Sequence, residues 1–299
     1  MEDGSRKAGK RDMEQRKGSA ARRRRGLCAA VIGILLPVTV SCSRRAEMQA
    51  SPPPALTRTD LDQLRTVKVF FGHQSVGSNI LAGMEDLFGE QGGPLPRILE
   101  TADPADFTAD PLIAHAKVGE NTKPLTKIEA FVRTMTSGIG ARVDVAFFKF
   151  CYIDLAAHDD PNALFAHYRS AMERLQSQFP ATRFVHFTMP LRVVQSGPRV
   201  WIKKIIGRPI GGYADNIARN QFNMLMRSSY GRKETLFDLA LLESTGKNGV
   251  RCTFDAGGAT YEALCPEHTT DGGHLNQGGR RIIAGELLRH LASLARKGA

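Results

Sequence analysis

Short, continuous apolar runs alternate along this chain with segments whose apolar residues recur at helical spacing, and few folds accept that pattern. "VKVFF" (67–71) is followed by Ile80, Leu81, Met84, Leu87 and Phe88. "LIAHAKV" (112–118) leads to Leu125, Ile128, Phe131, Val132 and Met135. "VDVAFFKF" (143–150) precedes Leu164, Phe165, Tyr168, Met172 and Leu175. "RFVHFT" (183–188) precedes a long loop and a helix near 215–229, and "TLFDLA" (235–240) comes next. The closing segment carries Ile282, Ile283, Leu287, Leu288, Leu291 and Leu294. Strands without polar alternation are buried on both faces, which implies a parallel sheet covered by helices on either side. The chain therefore reads as one α/β domain over 61–299, a three-layer α/β/α sandwich with a parallel sheet. Ligands in such sheets sit beyond the carboxyl ends of the strands, so the residues after each strand are the candidates for chemistry.

Ahead of that domain the sequence changes character. Residues 1–45 hold twelve Lys/Arg against four Asp/Glu, whereas the remainder holds 29 against 26. Most of the net charge of +11 is thus an N-terminal property, and the body is close to neutral. "RRRRG" (22–26) precedes the apolar "LCAAVIGILLPVTVSC" (27–42), the order of an export signal. The run is short for a membrane-spanning helix, which needs roughly 20 apolar residues. "TVSC" (39–42) resembles a bacterial lipobox in which Cys42 is the lipidated residue, although Thr39 stands where Leu is usual. The expectation is an exported protein of the cell envelope or periplasm, reaching the membrane through the signal or a lipid anchor. An uncleaved signal anchor is the plainer alternative, and a true start at Met13 is another. Residues 43–60, with "ASPPPALTRTD", read as a tether.

Two turns carry the chemistry. The first strand ends in "GHQSVG" (72–77), with Ser75 at the turn, and "TTDGGHLNQGG" (269–279), with Asp271 and His274 three apart, precedes the last helix. A Ser hydroxyl becomes a nucleophile when a base takes its proton, and that base needs an orienting acid. An Asp-x-x-His turn supplies both, with the carboxylate under the imidazole. Either turn alone is usually only a turn or a helix cap. Together, at opposite ends of one α/β domain, they point to a shared site.

These two blocks resemble those of the SGNH (GDSL-type) hydrolases, with this chain as a divergent branch. "DGGHLNQGG" (271–279) matches the family's last block closely. "FGHQSVG" (71–77) keeps the serine but has Gln74 for the Asp and His73 for the Gly. The resemblance implies a flavodoxin-like SGNH-hydrolase fold, Ser75 as nucleophile, His274 as base and Asp271 as its partner. It also implies an oxyanion hole from the Ser75 N–H, Gly119 in "AKVGENTKP" (116–124), and an Asn after the third strand. That Asn is missing: "FFKFCYID" (147–154) puts Ile153 in its place and Asp154 beside it. Asn121 is the substitute candidate. His73, Gln74, Tyr152 and Asp154 are further candidates for the pocket. The implied function is an exported serine esterase acting through an acyl-enzyme on O-acyl (acetyl) groups of carbohydrate or other small esters. An acyltransferase at the same site and a non-catalytic polysaccharide-binding envelope protein with a decayed site are the alternatives. No metal or organic cofactor is implied.

The other residues carry weaker signals. No Cys or His spacing suggests a metal site, and the body lacks the aromatic–basic interleaving of nucleic-acid binders. Cys252 and Cys265 flank a Gly-rich loop, where either a disulfide or two thiols is possible; Cys151 reads as a buried thiol. His73 either lines the pocket or packs beside the strand. Asn79 reads as a solvated helix residue, and His115, His158, His167, His186 and His268 as surface or loop residues. The insertion "LRVVQSGPRVWIKKIIGRPIGGYADN" (191–216) is either a lid or acidic-polymer contact, or a packed amphipathic segment, and the packed reading is preferred.

Overall fold

The computed structural model describes residues 55–91, 95–108, 110–232 and 235–296. The candidate signal and Cys42 lie outside the described residues. Among those residues no helix is long and apolar enough to cross a membrane. Helix α1 (Arg58–Leu64) opens with a capping box in which Thr57 and Asp60 exchange hydrogen bonds. Residues 57–60, read from the sequence as the end of the tether, therefore belong to the fold.

Strand β1 (Lys68–His73) runs into α2 (Ser75–Gly89), followed by β2 (Arg97–Glu100), β3 (Leu112–Lys117) and α3 (Pro124–Thr136). Strand β4 (Val145–Phe148) and α4 (Pro161–Gln178) lead to β5 (Arg183–Phe184) and β6 (His186–Phe187). Five strands pair in the order β2-β3-β1-β4-β5, all parallel. Val185, between β5 and β6, still donates to the Ala146 carbonyl at 3.0 Å, so these two are one strand with a break. Next come α5 (Pro198–Ile205), α6 (Tyr213–Tyr230) and β7 (Leu236–Phe237), and β7 pairs in parallel with β6. With the edge strand β2 set aside, the order is the expected flavodoxin-like 2-1-3-4-5. β2 was not foreseen, because "RILE" is too short and too charged to read as a buried strand.

Alternate residues of each strand feed two separate cores, as the pleat requires. Val69, Phe71, Ile113, Val145 and Phe147 face α1, α2 and the last helix, α8 (Gln277–Arg296). Phe70, Ala114, Ala146 and Phe148 face α3, α4 and α6. The three-layer α/β/α sandwich follows directly. Between β7 and α8 lie α7 (Leu239–Glu243) and a hairpin of β8 (Thr253–Ala256) and β9 (Ala259–Glu262), with Cys252 and Cys265 disulfide-bonded at its base. Cys151 is a buried free thiol, as its apolar surroundings suggested.

Candidate active site

Ser75 is the first residue of α2, directly past the carboxyl end of β1, and is exposed. Its backbone N–H belongs to the first turn of a helix, where amides have no intrahelical acceptor. Gly77 is required here by space rather than by backbone angle: a Cβ would lie 2.3 Å from the His73 Cβ. That close approach lets the chain turn from strand to helix within two residues.

The 269–276 turn comes back to this point. His274 Nε2 lies 3.0 Å from Ser75 Oγ, and His274 Nδ1 lies 2.6 Å from Asp271 Oδ2. The second carboxylate oxygen accepts the backbone N–H groups of Gly273 at 2.9 Å and His274 at 2.8 Å. The hydrogen bond from the His274 ring, followed by these backbone donors, holds the Asp271 carboxyl well below the usual carboxylate range. An ionised Asp271 fixes a proton on Nδ1, which leaves the Nε2 lone pair facing the serine hydroxyl. This arrangement can take the Ser75 proton and return it to a leaving group.

Asn79 pins this turn from below. Its side-chain oxygen accepts the Leu275 N–H at 3.2 Å, so it is a tie between α2 and the His274 turn, not a solvated helix residue. Its position four residues after Ser75, on the same helix face, was the available signal.

Gln74 does not enter the site as an acid. Its side-chain nitrogen donates to the carbonyls of Gly119 at 2.8 Å and Val118 at 3.2 Å, fastening the loop after β3 to the serine turn. Gly119 has φ +57°, and a Cβ there would meet the Lys127 backbone nitrogen at 2.4 Å. Both the angle and the space demand glycine.

Beneath that loop lies an ion pair that the sequence reading missed. Lys127 and Asp154 are fully buried, with Nζ 2.5 Å from Oδ2. Asp154 also accepts the backbone N–H groups of Thr122 at 3.0 Å and Cys151 at 2.6 Å. It therefore does not line a pocket; it binds the loop after β3 to the loop after β4. Lys127 also donates to Asn121 Oδ1 at 2.9 Å, and amide geometry then directs the Asn121 NH2 group away from that lysine. Thr122 next to it sits at φ 67°, an unusual angle for a β-branched residue. Lys127 could have been flagged because it lies on the buried Lys127–Phe131–Met135 row of α3.

His73 packs in the interior instead of facing the pocket. It is 2% exposed, its Nε2 lies 3.0 Å from His115 Nδ1, and burial lowers its pKa to about 4. His115 is half-buried against it, and its pKa is likewise lowered by burial. His186 and His268 are buried too: His186 stacks on Tyr230 with centroids 3.6 Å apart, and His268 Nε2 lies 2.8 Å from the Thr245 carbonyl. The sequence had placed His115, His186 and His268 on the surface or in loops; His115 and His186 instead lie inside β3 and β6. Tyr152 does adjoin the site, with its hydroxyl 3.4 Å from His274 Nδ1 and Arg192 over its ring. Ile153, where an Asn was expected, is exposed. Among the described residues no group of three or more His, Cys, Asp or Glu side chains is arranged to hold a metal.

No protein-family model matches the chain. No curated protein matches it either. Several solved structures are similar in shape, among them these three. The first, described as a platelet activating factor from Streptococcus pneumonia, has 14% identity and a TM-score of 0.44, over 78% of this chain and 91% of that one. A lipolytic protein of the G-D-S-L family from Desulfitobacterium hafniense DCB-2 has 8% identity and a TM-score of 0.44, over 75% of this chain and 99% of the other. The periplasmic domain of a lipopolysaccharide acetyltransferase from Salmonella ser. Paratyphi A has 10% identity and a TM-score of 0.38, over 77% and 87%. At these values the likeness carries no argument about chemistry.

Proposed function

We propose that this protein is an exported serine esterase of the SGNH type. The observation that carries the proposal is the unbroken line from Ser75 Oγ to His274 Nε2 at 3.0 Å and from His274 Nδ1 to Asp271 Oδ2 at 2.6 Å. Ser75 attacks an ester carbonyl as His274 takes its proton; the C–O bond then breaks, and His274 protonates the departing alcohol. Water, deprotonated by His274, cleaves the acyl-enzyme and releases the acid. The Ser75 and Gly119 backbone amides and the Asn121 side chain hold the oxyanion. One such donor is worth about 10²–10³ in rate, because the charge it meets exists only in the transition state.

The openness of the site supports a short acyl group on a bulky hydrophilic carrier, such as an O-acetylated carbohydrate. The side chains of His274 and Asp271 are 39% and 54% exposed, so a large acceptor can approach without a tunnel. Export and lipidation at Cys42 belong to the same proposal and rest on the N-terminal sequence; Cys42→Ser is expected to make the chain removable from the membrane fraction by high salt. Turnover of p-nitrophenyl acetate tests the chemistry. The wild-type chain is expected to hydrolyse it and to react with a fluorophosphonate probe, and Ser75→Ala to lose both. Probe labelling that survives Ser75→Ala sinks the assignment of the nucleophile.

A further inference from the structure

The segment after β6 was expected to be packed, and it is not. α5 is an amphipathic helix turned outward. Trp201, Ile202, Ile205 and Ile206 are 69%, 52%, 64% and 55% exposed, whereas Val200 on the opposite side is 8% exposed. A helix of a globular domain ordinarily buries its apolar stripe and exposes its charges. Here a polar neck holds the helix from its other side. Lys203 Nζ donates to Gln195 Oε1 at 2.7 Å, the Gly211 amide donates to the same oxygen at 3.2 Å, and the Gln195 amide donates to the Gly211 carbonyl at 3.2 Å.

That neck is rooted at the candidate active site. The Val193 amide donates to the Gly272 carbonyl at 3.0 Å, inside the turn that carries Asp271 and His274. Arg192 donates to the same carbonyl at 3.4 Å and lies over the Tyr152 ring. The apolar face is therefore presented at the same end of the sheet as Ser75.

Charge identifies what covers it. Residues 191–214 contain five basic residues (Arg192, Arg199, Lys203, Lys204 and Arg208) and no acidic one. Residues 46–299 hold 29 Lys/Arg and 26 Asp/Glu, so without those five the domain would carry −2. The net positive charge of the body is thus matched by the basic residues of this one segment. A Trp and three Ile exposed on a segment rich in cations match a lipid surface with anionic headgroups, where apolar side chains enter the acyl boundary and basic ones stay at the phosphates. A soluble acidic polymer offers nothing for the isoleucines. A second copy brings the same +5 against itself, and a helix about 12 Å long offers far less than the roughly 800 Å² per partner of a stable interface. We propose that α5 is an interfacial helix that docks the catalytic end of this domain on an anionic phospholipid surface.

Trp201 is the only tryptophan in the chain, so its fluorescence reports on α5 alone, even in the full chain with its apolar N-terminal run. The expected result with phosphatidylglycerol vesicles is a blue shift of its emission and quenching by lipids brominated in their acyl chains. Both should weaken with salt and be much smaller with phosphatidylcholine. The double variant Ile202→Asp/Ile205→Asp keeps the reporter, and the lipid concentration needed for half the shift should rise about tenfold or more. Circular dichroism of that variant establishes that it is folded. Emission that ignores phosphatidylglycerol while the chain sediments with the vesicles overturns the proposal. An equal response to phosphatidylcholine, or a blue shift that grows with protein concentration in the absence of lipid, also overturns it. The readout does not depend on esterase activity, so it stands or falls separately from the catalytic reading.

Discussion

His274 does not hold its position through Asp271 alone. The Leu275 amide, one residue on, is anchored by Asn79 Oδ1 at 3.2 Å, which links the proposed base to the helix that begins with Ser75. Asn79→Ala leaves that amide without its acceptor, and a stability loss of about 1 kcal/mol is expected from urea unfolding. The loosened turn should also lower kcat by about tenfold with little change in KM, because geometry at the reacting centre suffers and ground-state binding does not. Asn79→Asp retains an acceptor and should recover most of kcat. If both variants are equally active with wild-type KM and kcat, Asn79 has no positioning role. The juxtaposition of Ser75, His274 and Asp271 was legible in the sequence because such chemistry restricts its groups to a few residue types at fixed spacing. Asn79 was harder to read, since its place four residues after Ser75 was its one signal and an Asn early in a helix has several ordinary reasons to be there.

At the level of elements, the Lys127–Asp154 pair joins the two loops that must stand across from Ser75. Both charges are fully buried, so removing one strands the other away from water. Lys127→Met is expected to cost about 3–5 kcal/mol in urea unfolding. Lys127→Met combined with Asp154→Asn should regain part of this, because no uncompensated charge then remains. Purely additive losses in the two single variants and the double would show that the pair is not coupled. The elements themselves were readable wherever an apolar run was long. All five strands that carry the sheet's central order came from such runs. β2 escaped because an edge strand needs no apolar alternation, and Asp154 was misplaced because sequence cannot tell a carboxylate at a strand's end from one folded beneath the loop. α5 was misjudged for a related reason: its amphipathic character was legible, but that does not say which way the apolar face points.

The whole molecule is closed by contacts between distant segments, and two of these can be tested directly. The Cys252–Cys265 bridge spans a sequence separation of 13 at the base of the β8–β9 hairpin. A loop of that size restricts the unfolded chain by about 3 kcal/mol on the chain-entropy account. Reduction should therefore lower the denaturation midpoint, and Cys252→Ser/Cys265→Ser should be indifferent to reductant; a wild-type midpoint unmoved by reduction would remove this contribution.

Deeper in the interior, Glu243 makes stability depend on pH. It is fully buried in α7 and accepts the Leu191 amide at 2.7 Å, with Lys149 and Arg219 as its charged neighbours. Burial raises its pKa to about 8 from an ordinary 4.5. Between those values the folded chain keeps a proton that the unfolded chain releases, so stability falls as pH rises, by up to about 1.4 kcal/mol per pH unit. His73 acts in the opposite sense, since its pKa is lowered from 6.5 to about 4 and the unfolded chain binds the extra proton there. The two slopes oppose each other from 4.5 to 6.5, and only that of Glu243 continues from 6.5 to 8. Glu243→Gln keeps the side chain's shape but cannot titrate. Its stability relative to wild type, from urea unfolding, should therefore rise steadily between pH 6.5 and 8, whatever constant offset follows from the lost interactions with Lys149 and Arg219. A difference that stays flat across that window would mean that Glu243 is already ionised at pH 6.5 in the folded protein. The burial that raises its pKa would then not be excluding water from its carboxyl group.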